Sequence, residues 1–284
     1  MPRIAIPMPH SIDREYAERA IPQYERAVQQ AGGEAVRIAL DQTKAQVNEI
    51  IAGCDGVLLP GSNADVDPAR FGAARSSHTA VADPRRDAVD ILLLEDAYKR
   101  HKPILGICYG LQSMNVFHGG SLVQHIPDFL PEELRARVDH EAGKTVSVAH
   151  SVEIDAGSRL ARVAANGGPQ GAGSSRASIP TNDKAAIESP ESHRHRKKGN
   201  QSLILPVNSS HHQAADKIGK GLRISARCAE DGIIEALEGA DPDHFVLAVQ
   251  WHPERSVDND EASRAIFRAL VDTAGGTVSK IRPR

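Results

Sequence analysis

Cysteine is scarce in this chain of 284 residues, and its spacing excludes two kinds of small domain. Cys54, Cys108 and Cys228 are far apart and odd in number, which argues against a disulfide framework and favours a reducing cytoplasm. No Cys-x-x-Cys pair occurs, so a zinc ribbon is excluded as well.

Long hydrophobic runs and an excess of charge are also missing. No stretch approaches the roughly 20 apolar residues of a membrane span. The first residues, MPRIAIPMPH, carry one Arg and too short an apolar run for a secretory signal. The net charge of −3 gives no overall attraction to nucleic acid or to an anionic membrane. We therefore expect a cytoplasmic protein with no nucleic-acid or membrane partner.

Short apolar strands alternate with helical patterns in the first half of the chain. The pattern predicts strands over 3–8, 35–40, 56–59 and 103–107, and helices over 13–30, 43–52 and 83–100. Such alternation is typical of a parallel sheet covered on both faces. The second half predicts strands over 144–154, 222–228, 233–238 and 245–251, then a helix over 259–273. Short turns between the last three strands indicate antiparallel strands added to the sheet.

One segment, 165–202, does not fit a compact domain. It is rich in Gly and Ser and has almost no large apolar residue. A segment of this composition cannot bury enough surface to offset its ordering entropy, so we expect a flexible surface insertion. The basic run at 193–198 is interpreted as a solvated charge run. The predicted organisation is one domain over 1–274 with this insertion, followed by a loose tail over 275–284.

A cysteine stands between two glycines in GICYGLQ, residues 106–112, where a predicted strand turns into a helix. A Cβ at Gly106 or Gly110 would crowd a sharp turn at that place. A helix N-terminus also favours a thiolate. The pattern indicates that Cys108 is a nucleophile. The alternative, a small buried hydrophobe beside a loop, stays open until other residues are found to serve the thiol.

The segment AVQWHPE offers a base for that thiol. His252 follows a predicted strand, and Pro253 prevents that strand from continuing. Residues two apart in an extended chain project to the same side, so Glu254 can reach the imidazole. A carboxylate there would orient the ring and stabilise the imidazolium. The alternative is a polar turn at a strand end with a satisfied histidine.

A tetrahedral intermediate also needs donors for its oxyanion. The N–H of Tyr109 follows the candidate nucleophile directly and is well placed for this. The turn in LLPGSNADVDP could supply a second donor, because Gly61 lets the backbone after a buried strand face the site.

Together, the segments PILGICYGLQ, LLPGSNADVDPARFG, VNSSHHQ and VQWHPE resemble the class I glutamine amidotransferase superfamily. DPRRDAVD, GGSLVQHI and EDGIIEALE make the chain most similar to the gamma-glutamyl-gamma-aminobutyrate hydrolases. The resemblance covers nearly the whole chain apart from about 165–202 and the tail. It implies an α/β fold: a flavodoxin-like, doubly wound sheet, mostly parallel with added antiparallel strands, and helices on both faces.

The resemblance assigns roles to particular residues. Cys108 would be the nucleophile, His252 the base and Glu254 its orienting acid. The oxyanion donors would be the backbone N–H groups of Tyr109 and of the turn at Gly61 and Ser62. Many members of the superfamily have two glycines at that turn, and Ser62 keeps the N–H but restricts φ.

Two further residues match positions that line the glutamyl pocket in relatives. These are Gln112, one turn into the helix after the nucleophile, and His211 in NSSHHQ. The alternatives are that Gln112 caps its helix and that His211 and His212 form a surface pair. A metal site from His211, His212 and His252 is disfavoured because adjacent histidines point apart.

The implied reaction is hydrolysis of a small gamma-glutamyl amide through a cysteine thioester, with no cofactor and no metal. A homodimer is left open. One alternative is a glutaminase subunit that feeds ammonia to a synthase; the absence of a fused synthase domain speaks against it. The other is a catalytically silent binding module that uses the same pocket.

Overall fold

The computed structural model describes residues 1–166 and 202–276. Most of the predicted insertion, and the tail after 276, therefore lie outside the described residues. Within those two ranges, no helix has both the length and the apolar character that a membrane crossing requires.

The described residues form strands and helices in a largely alternating order. The strands are β1 Arg3–Pro7, β2 Glu34–Ile38, β3 Gly56–Leu59, β4 Ile104–Ile107, β5 Leu122–Val123, β6 His150–Ile154, β7 Leu203–Val207, β8 Ala214–Ala215, β9 Leu222–Cys228, β10 Ile234–Gly239 and β11 Val246–Val249. The helices are α1 Arg14–Gln30, α2 Lys44–Ala52, α3 Pro84–Arg100, α4 Tyr109–Phe117, α5 Ile126–Phe129, α6 Glu132–Arg135, α7 Arg159–Asn166 and α8 Glu261–Ala274.

Nine strands form one mixed sheet in the order β2-β1-β3-β4-β11-β10-β9-β6-β7. The pairings from β2 to β11 are parallel, and those from β11 to β7 are antiparallel. β5 and β8 pair separately. This is the doubly wound α/β sheet with added antiparallel strands that the sequence predicts.

Helices cover both faces of the sheet because the inner strands of its parallel half are apolar on both sides. Ile4 and Ile6 of β1 pack in a core cluster with α1, α7 and α8. Ala5, between them, packs on the opposite face with α2 and α3. Buried parallel strands are expected to be continuously apolar for this reason.

The predicted helix boundaries agree with local capping. The Asp83 side chain accepts hydrogen bonds from the N–H groups of Arg85 and Arg86, and Pro84 occupies the first turn of α3. Thr43 and Gln46 form a capping box at the start of α2.

The prediction is less accurate in the second half of the chain. The strand predicted over 144–154 is confined to His150–Ile154, and a short 3₁₀ turn, Ala142–Lys144, lies before it. Here Gly143 packs so closely on the carbonyl groups of Asn208 and Ser209 that the segment bends over them rather than pairing as a strand.

Several elements were not predicted at all, among them β7 and α7. β7 is an edge strand that contains Pro206 and leaves most of its residues exposed, so its sequence lacks a buried alternating face. α7 is capped locally by Ser158, but Glu238 of β10 also accepts from its first N–H groups, a partner that is distant in sequence.

Candidate active site

Cys108 lies on a sharp turn between β4 and α4. Its backbone has φ +51° and ψ −105°, and among the described residues only His101 is a second non-glycine residue with positive φ. Such a conformation costs on the order of 1–3 kcal/mol and persists only where the surrounding structure enforces it. The Cys108 N–H donates to the Val249 carbonyl at 2.8 Å, and the Cys108 carbonyl accepts from the Leu111 N–H at 3.0 Å.

The two glycines that flank the cysteine are required by close backbone contacts. A Cβ on Gly110 would overlap the carbonyl oxygen of Leu59 and lie 2.8 Å from the Leu59 Cβ. A Cβ on Gly106 would lie 3.0 Å from the Gly110 carbonyl and 3.1 Å from the Ala248 Cβ. Strands β3, β4 and β11 thus pack closely against the turn at Cys108, which we call the elbow. A larger residue at either glycine would force the strands away from this turn.

His252 and Glu254 follow β11 and are both buried. The His252 Nδ1 lies 2.7 Å from the Glu254 Oε1. The segment is not extended, because Pro253–Arg255 forms a 3₁₀ turn, yet the two side chains meet as the sequence predicted. The Cys108 side chain and the His252 ring line the same cavity, so the thiol and the imidazole lie in one site.

The charges around His252 favour its protonated form. Burial lowers the pKa of His252, but the facing Glu254 carboxylate and the neighbouring Cys108 outweigh burial and raise the pKa to about 9. Burial raises the pKa of Glu254, while the facing His252 outweighs it and holds that pKa below its usual range. The pair can therefore stabilise an imidazolium next to the thiol.

Asn208 fixes the backbone of His252, a role that sequence reasoning missed. Its Oδ1 accepts from the His252 N–H at 2.9 Å, and its Nδ2 donates to the His252 carbonyl at 2.9 Å. The same amide donates to the Ser256 hydroxyl at 3.0 Å. Asn208 stands in the VNSSHHQ segment, but a sequence pattern does not show which backbone group an amide pairs with.

The turn after β3 borders both the thiol and the imidazole. A Cβ on Gly61 would lie 3.0 Å from the His252 Cε1 and 3.6 Å from the Cys108 Cβ. The Gly61 N–H donates to the Tyr24 hydroxyl at 3.0 Å, so it is engaged and does not point freely at an oxyanion. The Ser62 and Tyr109 N–H groups remain the candidate donors, and Tyr109 begins α4, where N–H groups lack a partner within the helix.

A buried arginine holds this turn in place. The Arg86 guanidinium donates to the Pro60 carbonyl at 2.7 Å and pairs with Asp90 at 2.7 Å. It also lies over the ring of Tyr109 at 4.8 Å from the centroid. The DPRRDAVD segment therefore stabilises the turn and the start of α4 through Arg86, but it does not line the cavity.

A cavity of ≈ 360 Å³ opens above Cys108 and His252. Its cationic groups are Arg19, Lys144 and Arg255, and its carboxylates are Asp65 and Glu141. The cavity also includes Tyr16, Ser62, Gln112, His211, His212 and Gln213. Of the predicted site residues, the cavity is lined by Cys108, His252, Ser62, Gln112 and His211. Gly61, Tyr109 and Glu254 do not line it but lie next to residues that do.

Gln112 and His211 reach the cavity, but their polar atoms have protein partners. The Gln112 amide donates to the Gln213 carbonyl at 3.2 Å. His211 uses Nδ1 for the Gln213 carbonyl at 2.8 Å and turns Nε2 toward Glu235 at 3.2 Å. His211 can therefore shape the pocket, but it has no ring nitrogen left for a substrate in this conformation.

Comparisons with known proteins agree with this architecture. A model of the Peptidase C26 family matches residues 6–254. The chain is 33% identical over 257 residues to the "Putative glutamine amidotransferase-like protein" of Rickettsia prowazekii, covering 87% of this chain and 86% of that one. It is 29% identical over 260 residues to the gamma-glutamyl-gamma-aminobutyrate hydrolase of Escherichia coli K12, covering 88% and 84%.

A solved structure shows the same fold at low sequence identity. It is described as that of a "putative gmp synthase subunit a protein" from Thermoplasma acidophilum, with a TM-score of 0.57 and 15% identity. That alignment covers 98% of this chain and 96% of the other. With the family match over most of its length, the chain belongs to the Peptidase C26 family of class I glutamine amidotransferase-like hydrolases.

Proposed function

We propose that the protein hydrolyses small gamma-glutamyl amides through a glutamyl thioester on Cys108. The observation that carries this proposal is the buried pair of His252 and Glu254, with His252 and Cys108 lining the same open cavity. A nucleophile, a base and a group that orients the base are the parts that acyl transfer requires.

In the first half-reaction, His252 takes the thiol proton of Cys108, and the Cys108 sulfur attacks the side-chain carbonyl carbon of the glutamyl group. The carbonyl oxygen becomes an oxyanion near the N–H groups of Tyr109 and Ser62. His252 then gives a proton to the amide nitrogen, the C–N bond breaks and the amine leaves. In the second half, His252 takes a proton from water as the water oxygen attacks the thioester carbonyl carbon. The C–S bond then breaks, His252 returns the proton to the Cys108 sulfur, and glutamate is released.

Charged groups on the cavity rim suit the glutamyl part of such a substrate. Arg19 and Arg255 can face its α-carboxylate. Lys144 and Glu141 pair with each other, and Asp65 accepts from the Ala80 N–H and contacts His212, so these groups would have to exchange partners to receive the substrate. Gamma-glutamyl-gamma-aminobutyrate is the first substrate to test, because the relative from Escherichia coli K12 bears that name. It adds a second carboxylate at the leaving amine, which the same cations could also receive.

The test is a screen for released glutamate with gamma-glutamyl amides of several amines and with glutamine itself. We expect turnover of at least one gamma-glutamyl amide well above glutamine, and none by Cys108→Ala. Intact-mass spectrometry of the trapped intermediate should place the glutamyl group on Cys108, with Cys54→Ala as the matched control. An adduct on another cysteine would overturn the proposal. Preference for glutamine would favour a glutaminase.

A further inference from the structure

Three buried histidines surround one carboxylate oxygen beside the active-site cavity. The Oε1 atom of Glu235 lies 3.1 Å from the His140 Nδ1, 3.3 Å from the His150 Nε2 and 3.2 Å from the His211 Nε2. All four ligand-type atoms lie within 4.8 Å of one another, and none of the four residues is more than 6% exposed.

Four separate parts of the chain meet at this cluster. His140 lies between α6 and the 3₁₀ turn, His150 begins β6, His211 lies before β8 and Glu235 is on β10. Only folding brings them together, and such a concentration of imidazoles around one carboxylate is not needed to fill a core.

Each imidazole is oriented by an acceptor at its outer ring nitrogen. These acceptors are the Asp231 carboxylate at 2.8 Å for His140, the Gln213 carbonyl at 2.8 Å for His211, and the Ser151 carbonyl at 3.3 Å for His150. An acceptor at one ring nitrogen places the proton there and leaves a lone pair on the other nitrogen. Histidines that bind metals in proteins are held in the same way.

Two of the three inner nitrogens lack a hydrogen bond, whereas the His211 Nε2 has one with Glu235 at 3.2 Å. The His140 Nδ1 and the His150 Nε2 are buried and have no hydrogen-bond partner, although both lie close to Glu235. Both nitrogens are near enough to Glu235 for a hydrogen bond, so the bond is missing because the nitrogens do not point at the carboxylate oxygen. The other oxygen of Glu235 accepts from the Ser209 hydroxyl at 3.1 Å, which fixes the carboxylate.

We propose that His140, His150, His211 and Glu235 bind one divalent transition metal ion, with Zn²⁺ as the expected ion. Bonds of about 2.0–2.2 Å from a tetrahedral zinc to nitrogen and oxygen place neighbouring ligand atoms roughly 3.3–3.6 Å apart. The separations from Glu235 to the three histidines, 3.1 to 3.3 Å, are close to that spacing. This proposal differs from the sequence-based expectation of a protein without a metal. Its ligands also differ from the set of His211, His212 and His252 that the sequence analysis disfavoured.

The competing occupant is the proton. Burial lowers the pKa of His140, but Asp231 and Glu235 outweigh burial and raise it to about 11, so an imidazolium could balance the carboxylates. A proton stabilises such a pair through a nearly straight N–H···O bond, whereas a metal ion sits between the ligand atoms. The misdirected nitrogens of His140 and His150 favour the metal.

The ion would be structural. Three histidines and one carboxylate complete a four-coordinate set, and a closed set leaves no position for a substrate. His211 is the link to the active site, because its other face lines the cavity and its Nδ1 holds the Gln213 carbonyl. The ion would thus fix one wall of the pocket. It touches no reacting atom, so its test does not depend on the proposed activity.

The first experiment measures metal content in the full-length protein by plasma mass spectrometry, as purified and after incubation with zinc sulfate and gel filtration. We expect one ion per chain in the wild type and in His244→Gln. His244 is a buried histidine outside the cluster that pairs with the Lys102 carbonyl. Glu235→Gln and His150→Gln should lose the ion. Asp231→Asn should bind it roughly 10–100-fold more weakly in a chelator competition.

Thermal unfolding separates the metal from the proton. Chelator should lower the Tm of the wild type and zinc should restore it, whereas neither should move the Tm of Glu235→Gln. Wild-type protein that takes up no metal, with a Tm insensitive to zinc and chelator, would overturn the proposal in favour of protons.

Two controls keep the ligand set testable. Cys228 lies next to His140 and His150, so Cys228→Ser must retain the ion; its loss there would overturn the proposed set. If Glu235→Gln or His150→Gln fails to fold, Co²⁺ bound to Cys108→Ala protein decides instead. Tetrahedral visible bands without a thiolate charge-transfer band support the set, and a thiolate band or no binding overturns it.

Discussion

Asn208 binds both backbone hydrogen-bonding groups of His252, accepting from its N–H and donating to its carbonyl, each at 2.9 Å. The candidate base is therefore held in place by a residue 44 positions earlier in the chain, on the segment that follows β7. Because both contacts are buried, this one amide fixes the backbone of His252, while Glu254 orients its ring.

Replacing Asn208 should lower turnover more than substrate binding. Asn208→Ala leaves the His252 N–H without its partner and its carbonyl with only the Arg255 N–H at 3.2 Å, which lets the ring shift; a displacement of about 1 Å can cost on the order of 10²-fold in rate. Asn208→Asp keeps the acceptor for the His252 N–H but loses the donor to its carbonyl, so its turnover should lie between those of the wild type and Asn208→Ala. Steady-state kcat and KM on one gamma-glutamyl amide test this. Ser256→Ala, which removes only the third contact, should stay near wild type. A change confined to KM would contradict the positioning role.

His252 and Cys108 should behave as one unit. His252→Ala should lower kcat/KM by about 10²–10⁴-fold, the usual worth of a general base. The double variant with Cys108→Ala should be little worse than either single variant. Glu254→Gln keeps the shape and a possible hydrogen bond to the ring, so residual activity should survive. Losses that multiply in the double variant would mean that the two residues act independently.

The stability that the His252–Glu254 pair contributes should depend on pH in a defined direction. The folded pKa of His252 is raised from 6.5 to about 9, so its contribution is complete below about pH 6.5 and is lost as the pH rises through about 9. The folded pKa of Glu254 is lowered, so its contribution is present above its ordinary value of 4.5 and is lost as the pH falls through the folded pKa.

Urea unfolding of the wild type and Glu254→Gln tests this at several pH values. The wild type should exceed the variant most between about pH 5 and 6.5, and the difference in unfolding free energy should shrink toward about pH 10. The contributions of all other titrating groups cancel in this difference, because both proteins contain them. A difference that stays constant over this range would show that the pair is not charged in the folded protein.

Gly110→Ala should disrupt the elbow rather than the chemistry alone. The added Cβ would overlap the Leu59 carbonyl oxygen, which is backbone and cannot move aside cheaply. Overpacking of this kind costs about 1–3 kcal/mol or more, so both the Tm and the activity should fall. Gly157→Ala is the matched control, because its Cβ would meet only the Asp155 carboxylate at 3.5 Å. A Gly110→Ala protein with native Tm and activity would refute the steric argument.

The sequence alone determined the parts of the site that are local in the chain. Cys108 is recognisable because a strand-to-helix turn leaves no room for a Cβ on either flanking glycine. His252 and Glu254 are recognisable because two residues suffice to bring their side chains together. The apolar strands of the parallel half are equally readable, since burial on both faces makes every residue apolar.

Which distant groups meet depends on the folded arrangement of the strands. It paired Tyr24 with the Gly61 N–H, and Asn208 with His252, across 37 and 44 residues. It placed His211 on the cavity wall and also in a cluster with Glu235, which lies on β10 in the antiparallel half of the sheet. Polar side chains such as these can form hydrogen bonds with many different partners, including water in the unfolded chain. Which partner they take depends on strand order and register, and no short segment of sequence encodes either.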